Sequence, residues 1–241
     1  MENMLFERLG VLVAARGDDG GGWLFLIGAG LLVGFLIYVR KRQAKKRTEQ
    51  FQSVAEKLGF PFFPKGDSSL LERLDRFHLF ALGRTRRIWN MLHGETDDIE
   101  LAIFDYRYTT GRGKHQATYK QSVIYFRSPA LNLPQFALRP EGMFHKIGAA
   151  FGYMDIDFET HPKFSKTCLL RGDDELKIRE LFNDELITFF ETQQKISVEG
   201  GNDQLIFYRQ KKRIKPDAHE VQQFMEEGLQ VFALFRGPGE T

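Results

Sequence analysis

Two neighbouring stretches decide the fold: Ile99-Glu-Leu-Ala-Ile-Phe-Asp-Tyr-Arg-Tyr108 and Ala117-Thr-Tyr-Lys-Gln-Ser-Val-Ile-Tyr-Phe-Arg127. Both are rich in aromatic and β-branched residues, which favour strands. Residues 109–116 lie between them, contain two glycines and have the composition of a hairpin loop. The sequence therefore predicts two long strands that pair in antiparallel orientation.

Shorter strands and several helices flank this hairpin. Hairpin connections, rather than regular βαβ units, imply antiparallel sheets. The predicted fold class is therefore α+β: an N-terminal transmembrane helix followed by an antiparallel-sheet domain with several packed helices. Further extended segments are predicted at residues 77–82, 86–93, 135–139, 155–159, 167–170, 196–198 and 204–208. Helices are predicted at residues 48–58, 69–76, 141–151, 173–182 and 183–192, and from Pro216 onward.

Individual residues define the predicted helix ends. Thr48 and Asn183 are residue types that cap helix N-termini, and the four residues from Ser69 match a capping box. Gly59 is typical of the position after a helix C-terminus. Leu176 is predicted to lie on a buried helix face. With 23 phenylalanines in 241 residues, the core is predicted to be rich in aromatic rings.

Residues 23–39 form an uncharged apolar segment, Trp-Leu-Phe-Leu-Ile-Gly-Ala-Gly-Leu-Leu-Val-Gly-Phe-Leu-Ile-Tyr-Val. Its 17 residues would rise about 25 Å as a helix, the short end of the range for crossing a bilayer. A buried core helix is one alternative, but a strongly basic flank is unusual for one. A cleaved signal peptide is another, but its positive charge would precede the apolar run. The segment is therefore predicted to be a transmembrane helix.

Six basic residues follow the apolar segment and predict its orientation. Lys and Arg next to a spanning helix stay in the cytoplasm, so the N-terminus is predicted outside and the large domain inside, in a single-pass cell-membrane protein. The same six are predicted to bind the membrane surface: Arg40, Lys41, Arg42, Lys45, Lys46 and Arg47. Residues 48–241 carry 26 basic and 28 acidic side chains, which argues against nucleic acid as a partner.

The predicted organisation has five parts. They are a short extracytoplasmic N-terminus (1–22), the transmembrane helix (23–39), a basic juxtamembrane stalk helix (40–58), the cytoplasmic α+β domain (59–236) and a flexible tail (237–241). A boundary near residues 128–134, which would divide the large domain in two, stays open. Residues 48–241 have their own caps, turns and apolar faces and are predicted to fold without the preceding part.

Gly30 and Gly34 have the GxxxG spacing that lets two membrane helices approach closely. They are candidates for a homo-oligomer contact through the transmembrane helix. The favoured interpretation is that glycine is simply frequent in such helices.

Asp155, Asp157, Glu159 and His161 alternate with apolar residues and would share one face of a strand. Three carboxylates and an imidazole suggest a metal site. Strand residues two apart are nearly 7 Å from each other, so one strand alone cannot close a coordination sphere, and a solvated strand face is the favoured interpretation.

Three other features are candidate sites. Residues 111–115 could bind phosphate through backbone amides, but they lack the phosphate-loop pattern and are interpreted as a hairpin tip. Residues 209–215 hold several cations that could touch anionic lipid, and a solvated loop is favoured. Cys168 lies in an apolar run and is interpreted as a small buried side chain. No cofactor is predicted.

Three motifs stand out in the second half of the chain: Leu133-Pro-Gln-Phe-Ala-Leu-Arg-Pro140, Phe164-Ser165 ahead of Leu169-Leu-Arg-Gly172, and the 203–209 hairpin. Through these motifs, residues 134–209 resemble an uncharacterised family of bacterial membrane-anchored proteins. The resemblance implies one spanning helix before a folded domain and implies no activity or catalytic residue.

The predicted function is that of a membrane-tethered, non-catalytic cytoplasmic domain that binds a protein partner or the inner membrane surface. The alternative is a membrane-anchored metal-dependent hydrolase that uses the face of residues 155–161.

Overall fold

The structure is a computed structural model that describes residues 22–141, 154–193 and 195–236. It opens with one continuous helix, α1 (Gly22–Leu58), so the predicted apolar and stalk helices are a single element. Gly59 follows it with φ +76°, as predicted for a residue that ends a helix. Thr48 lies inside α1 rather than at a cap, and its hydroxyl donates to the Asn90 side-chain oxygen at 2.8 Å.

The two halves of α1 differ in what surrounds them. In the second half, Phe51, Val54 and Ala55 are buried in the core. In the first half, nine large apolar side chains between Trp23 and Tyr38 are 41–71% exposed. Within the residues that the structure describes, no helix combines the length and the apolar character needed to cross a membrane.

A nine-stranded sheet forms the centre of the domain, and every adjacent pair of strands in it is antiparallel. The order across the sheet is β1-β2-β3-β4-β9-β8-β5-β7-β6. The predicted α+β class with an antiparallel sheet is confirmed. The strands are β1 Phe62–Phe63, β2 Arg84–Glu95, β3 Glu100–Thr110, β4 Ala117–Arg127, β5 Leu133–Pro140, β6 Met154–Asp155, β7 Cys168–Gly172, β8 Ser197–Asn202 and β9 Gln204–Tyr208.

The strand predictions were most accurate at the central hairpin. Strand β4 has its predicted bounds, and β3 pairs with it without a register shift over eleven residues. The prediction for residues 155–159 was wrong, because β6 ends at Asp155 and the chain turns at residues 159–160. Residues 77–82 are not extended: four of them form a helical turn.

Seven α-helices lie among the described residues: α1, α2 Ser68–Arg73, α3 His78–Ala81, α4 Pro162–Thr167, α5 Glu175–Leu181, α6 Asp184–Thr192 and α7 Ala218–Arg236. Asn183 caps α6 as predicted. The cap of α2 is Asp67, whose carboxylate accepts from the Ser69 amide, so the predicted capping box was two residues late. The helix predicted at residues 141–151 lies outside the described residues except for its first position.

Helices cover one face of the sheet, and this face is rich in phenylalanine, as predicted. Phe136 from β5, Phe182 after α5 and Phe235 from α7 have ring centroids 5.2–5.9 Å apart. Ile178 is the buried residue of α5, whereas Leu176, predicted to be buried, is 76% exposed. The contacts among the three phenylalanine rings, two edge-on and one stacked, add to the free energy gained by apolar burial.

Residues 67–82 cover the opposite face, where Phe80 packs on Tyr106 with ring centroids 4.4 Å apart. A charged pair is buried here: Glu199 is 0% and Arg139 is 1% exposed, and they form an ion pair. The Glu199 carboxylate also accepts from the Tyr208 hydroxyl at 2.8 Å and the Leu79 amide at 3.2 Å. These donors satisfy a charge that would otherwise destabilise the core.

His78 begins α3 beside this buried pair, and its burial, with a smaller contribution from Arg139, lowers its pKa to about 4. An unfolded histidine has a pKa of about 6.5, so between these values the unfolded chain binds more protons than the folded one. The His78 contribution to stability is present above pH 6.5 and falls as the pH drops toward 4. Over this range, His78 changes the free energy of unfolding by at most about 1.4 kcal/mol per pH unit.

We therefore expect the melting temperature of the chain to decrease as the pH is lowered from 7 to about 5. In the variant His78→Gln, the melting temperature should depend less on pH over this range. His115→Gln, on an exposed loop, is the matched control and should keep the wild-type slope. Equal slopes for wild type and His78→Gln would contradict the assignment.

Candidate functional site

The contact between α1 and the sheet centres on Asp105. This β3 residue is 0% exposed, and its side chain faces α1. The Arg47 guanidinium donates to both carboxylate oxygens, from Nε at 2.7 Å and from Nη2 at 2.8 Å. Paired donation from one guanidinium fixes the geometry and strengthens the bond.

Asn90 and Ser122 complete the donors to Asp105. Asn90 has φ +52° at an irregularity in β2, which turns its side chain toward the carboxylate, and its Nδ2 lies 3.1 Å from Oδ2. The Ser122 hydroxyl donates from β4 at 3.0 Å. Asparagine tolerates this left-handed backbone conformation better than most residues. Three strands and α1 therefore meet at one buried carboxylate.

The basic loop of residues 209–215 is held to the same centre. Arg47 Nη2 donates to the Ile214 carbonyl at 3.0 Å, and the Ile214 amide donates to the Ser122 hydroxyl at 3.2 Å. The Ser122 amide in turn donates to the Lys212 carbonyl at 3.0 Å. The loop was predicted to be solvated, and its side chains largely are, but its backbone position is fixed.

Beside this centre lies a cavity of 680 Å³ between α1, β3, β4 and the loop. We call it the cationic cavity. Five basic side chains line it: Arg40, Arg47, Arg107, Lys120 and Arg213. Its uncharged lining residues are Gln43, Ala44, Gln116, Ala117 and Thr118. The described residues place no acidic side chain in this lining.

Like charges lie close together in the cationic cavity. Arg107 and Lys120 are direct cross-strand partners, and like charges in such positions repel. Burial lowers the pKa of Lys120, and the neighbouring Arg213, Arg107 and Arg40 lower it further. Burial also lowers the pKa of Arg213, as does Arg47. The cavity is therefore a region of positive potential, which disfavours the protonated forms of its own basic side chains.

The six predicted membrane-surface residues separate into three groups. Arg47 turns inward to Asp105, and its side chain is only 14% exposed, so it is not available to lipid. Arg40 lines the cationic cavity. The remaining four are exposed on α1: Lys41, Arg42, Lys45 and Lys46.

The residues predicted as metal ligands do not form a site. Asp155 is paired with Arg171, and His161 lies 3.1 Å from Asp184. Because the chain leaves the strand after residue 155, Asp157 and Glu159 do not join them on one face. Among the described residues, no three His, Cys, Asp or Glu side chains could together hold a metal ion. The metal-dependent hydrolase therefore loses its predicted site.

The other candidates remain apart from the cationic cavity. Gly30 and Gly34 are exposed on α1, and an added Cβ at either would contact nothing in the chain. The loop of residues 111–115 is exposed at the tip of the β3–β4 hairpin. Burial raises the pKa of the Cys168 thiol, which is the opposite of what activates a nucleophile.

Sequence reasoning missed Asp105, Arg107 and Lys120 as parts of one centre. A signal was present, because charged residues interrupt strands that are otherwise apolar on both faces. A buried charge needs a partner, and Arg47, 58 residues away, could not be identified as that partner from spacing.

Arg47 lies one residue before the part of the chain, residues 48–241, that is predicted to fold alone. A chain of residues 48–241 keeps Phe51 and Val54 but leaves Asp105 buried without its counter-charge. Losing one member of a buried ion pair costs about 3 kcal/mol. We expect a chain of residues 40–241 to unfold cooperatively in urea, and a chain of residues 48–241 to be less stable by about that amount.

Arg47→Gln in the longer chain should reproduce the loss. Lys46→Gln, one position away on the exposed surface of α1, is the matched control and should change the free energy of unfolding by less than about 0.5 kcal/mol. Equal stability of the two chain lengths would contradict a stabilising role for Arg47.

Comparison with known proteins gives a likeness of fold. No family model matches the chain, and no curated protein matches it, so the resemblance to a bacterial membrane-anchored family stays a prediction. A similar solved structure is the crystal structure of the mycobacterial trehalose monomycolate transport factor A, TtfA. The two share 14% identity and a TM-score of 0.54 over 78% of this chain and 92% of that one. At this identity, the likeness shows a shared α+β fold.

Proposed function

We propose that this chain is a membrane-tethered, non-catalytic protein whose folded domain acts at the inner membrane surface. The observation that carries the proposal is the first half of α1, where large apolar side chains such as Leu31 and Phe35 are exposed on a helix that continues into the domain core. Exposed apolar surface of this extent marks an interaction site. A bilayer would cover all sides of this helical segment at once.

The proposed attachment is a single pass through residues 23–39. Their rise of about 25 Å is short of a hydrocarbon core of about 30 Å. The neighbouring Gly22 and the aliphatic stems of Arg40 and Lys41 extend the compatible length. Trp23 and Tyr38, both exposed, are at the ends, where amphipathic rings favour the headgroup region.

The basic residues after Val39 support an orientation with the N-terminus outside and the domain in the cytoplasm. Four of them are exposed on α1 and lie within two helical turns of the apolar segment. Each can contribute about 1 kcal/mol of attraction to anionic lipid.

A protein partner at this surface and a homo-oligomer through Gly30 and Gly34 remain part of the proposal. The similar solved structure is that of a transport factor, and a binding role for this chain is compatible with that likeness. No substrate is carried over from it.

Reporter fusions test the orientation. An alkaline phosphatase fused after residue 241 should be inactive and a fluorescent protein there should be bright, because the six cations keep the C-terminal side in the cytoplasm. Replacing Arg40, Lys41, Arg42, Lys45 and Lys46 by Gln, with Arg47 kept for the fold, should raise phosphatase activity.

A charge-matched variant, in which five exposed lysines and arginines of the distant domain surface are replaced, should behave as wild type.

Fractionation tests the attachment itself. The full chain should stay with membranes after alkaline extraction, and a chain lacking residues 1–39 should not. An active C-terminal phosphatase in the wild-type chain, or release of the full chain, would contradict the proposal.

A further inference from the structure

We propose that the cationic cavity binds a phosphate group, carried by a membrane lipid headgroup or free in solution. The inference rests on the proposed function, since it gives the domain at the membrane surface a specific ligand chemistry. It differs from the general attraction of α1 to lipid, because it assigns a defined site formed by α1, two strands and a loop.

The first argument is the unbalanced charge. Arg107, Lys120 and Arg213 make no ion pair with any described residue, and the buried Nε of Arg107 has no hydrogen-bond partner there. The nearby carboxylate, Asp105, is occupied by Arg47, Asn90 and Ser122. Three cations whose nearest counter-charge is this one, already engaged carboxylate repel one another. An anion in the cavity would remove this repulsion.

The second argument is the fit of the lining to phosphate. Guanidinium groups present forked donors that match phosphate oxygens, and an ammonium adds a point charge. Arg107 and Arg213 supply the forks, and Lys120 supplies the ammonium. Gln116 and Thr118 also line the cavity and are able to hydrogen-bond the remaining oxygens. A volume of 680 Å³ lies in the range of small-molecule sites.

The third argument is position. Arg40 lines the cavity and directly follows the apolar segment that ends at Val39. The lining residues of α1 extend from Arg40 to Arg47, about 10 Å along the helix axis. In the proposed attachment, the cavity therefore lies next to the headgroup layer, where phosphate groups are concentrated. Continuous helix between the bilayer and the cavity keeps this depth constant.

Binding to the full chain in neutral detergent micelles tests the proposal. The probes are soluble dihexanoyl phosphatidic acid, dihexanoyl glycerol as the matched ligand without phosphate, and inorganic phosphate. We expect calorimetry to show saturable binding of phosphatidic acid, and inorganic phosphate to compete with it. Dihexanoyl glycerol should not bind. Binding of inorganic phosphate without phosphatidic acid would support the free-phosphate form of the proposal.

The double variant Arg107→Gln and Lys120→Gln should lower the affinity at least about tenfold. Lys57→Gln with Lys65→Gln removes the same charge from exposed positions outside the cavity and outside the membrane-surface residues, and should change the affinity less than about twofold. Without ligand, the cavity variant should melt no lower than wild type, since it removes a like-charge pair. Wild type should melt higher when phosphate is added, and the cavity variant should not.

Absence of binding by both phosphate probes would overturn the inference, as would equal losses in the two double variants. Tighter binding of duplex DNA than of phosphatidic acid at matched salt would also overturn it. Membrane fractionation of the cavity variant separates this inference from the proposed function. A cavity variant that binds no phosphate but stays with membranes agrees with both the phosphate site and the proposed membrane attachment. A wild-type chain that binds no phosphate but stays with membranes refutes only the cavity site.

Discussion

The rest of the structure depends on the ion pair between Arg47 and Asp105. A carboxylate with no solvent exposure is stable only when its charge is balanced and its oxygens accept hydrogen bonds. Arg47, Asn90 and Ser122 satisfy these needs from α1, β2 and β4. Apolar burial of Phe51 and Val54 alone would hold α1 against the sheet but would fix its axial position and rotation less strictly. The ion pair determines both.

This constraint has a consequence for the apolar half of α1. The helix is continuous from Gly22 to Leu58, so a fixed rotation at Arg47 also fixes which residues of the apolar half point in which direction. A flexible linker would let the domain turn freely beneath its attachment. Here, the domain and the proposed membrane segment share one helix, and the mouth of the cationic cavity keeps a constant orientation to it.

Local patterns predicted the central hairpin, the end of α1 at Gly59 and the cap of α6 at Asn183, because each depends on residues close in sequence. The failures have physical causes. Alternation at residues 155–159 matched a strand, but of these residues only Asp155 pairs in register with β7, and the chain then turns toward α4. The turn at His78–Ala81 lies against Glu199, whose carboxylate accepts from the Leu79 amide. Partners more than a hundred residues apart cannot be inferred from local propensity. For the same reason, the cationic cavity could not be predicted from the sequence, because its lining combines α1, the β3–β4 hairpin and Arg213.

The cavity and the ion pair are energetically linked because they share Arg47. Burial lowers the pKa of Arg213, and the charge of Arg47 lowers it further, while the Arg47 guanidinium is held by Asp105. Binding an anion in the cavity would reduce the repulsion among Arg47, Arg107 and Arg213, and so would favour the arrangement in which α1 is docked on the sheet. A ligand that binds only the folded arrangement stabilises it by mass action. The stability of the helix–sheet contact would then depend on the phosphate content of its surroundings, and the buried Asp105 carboxylate would make that coupling possible.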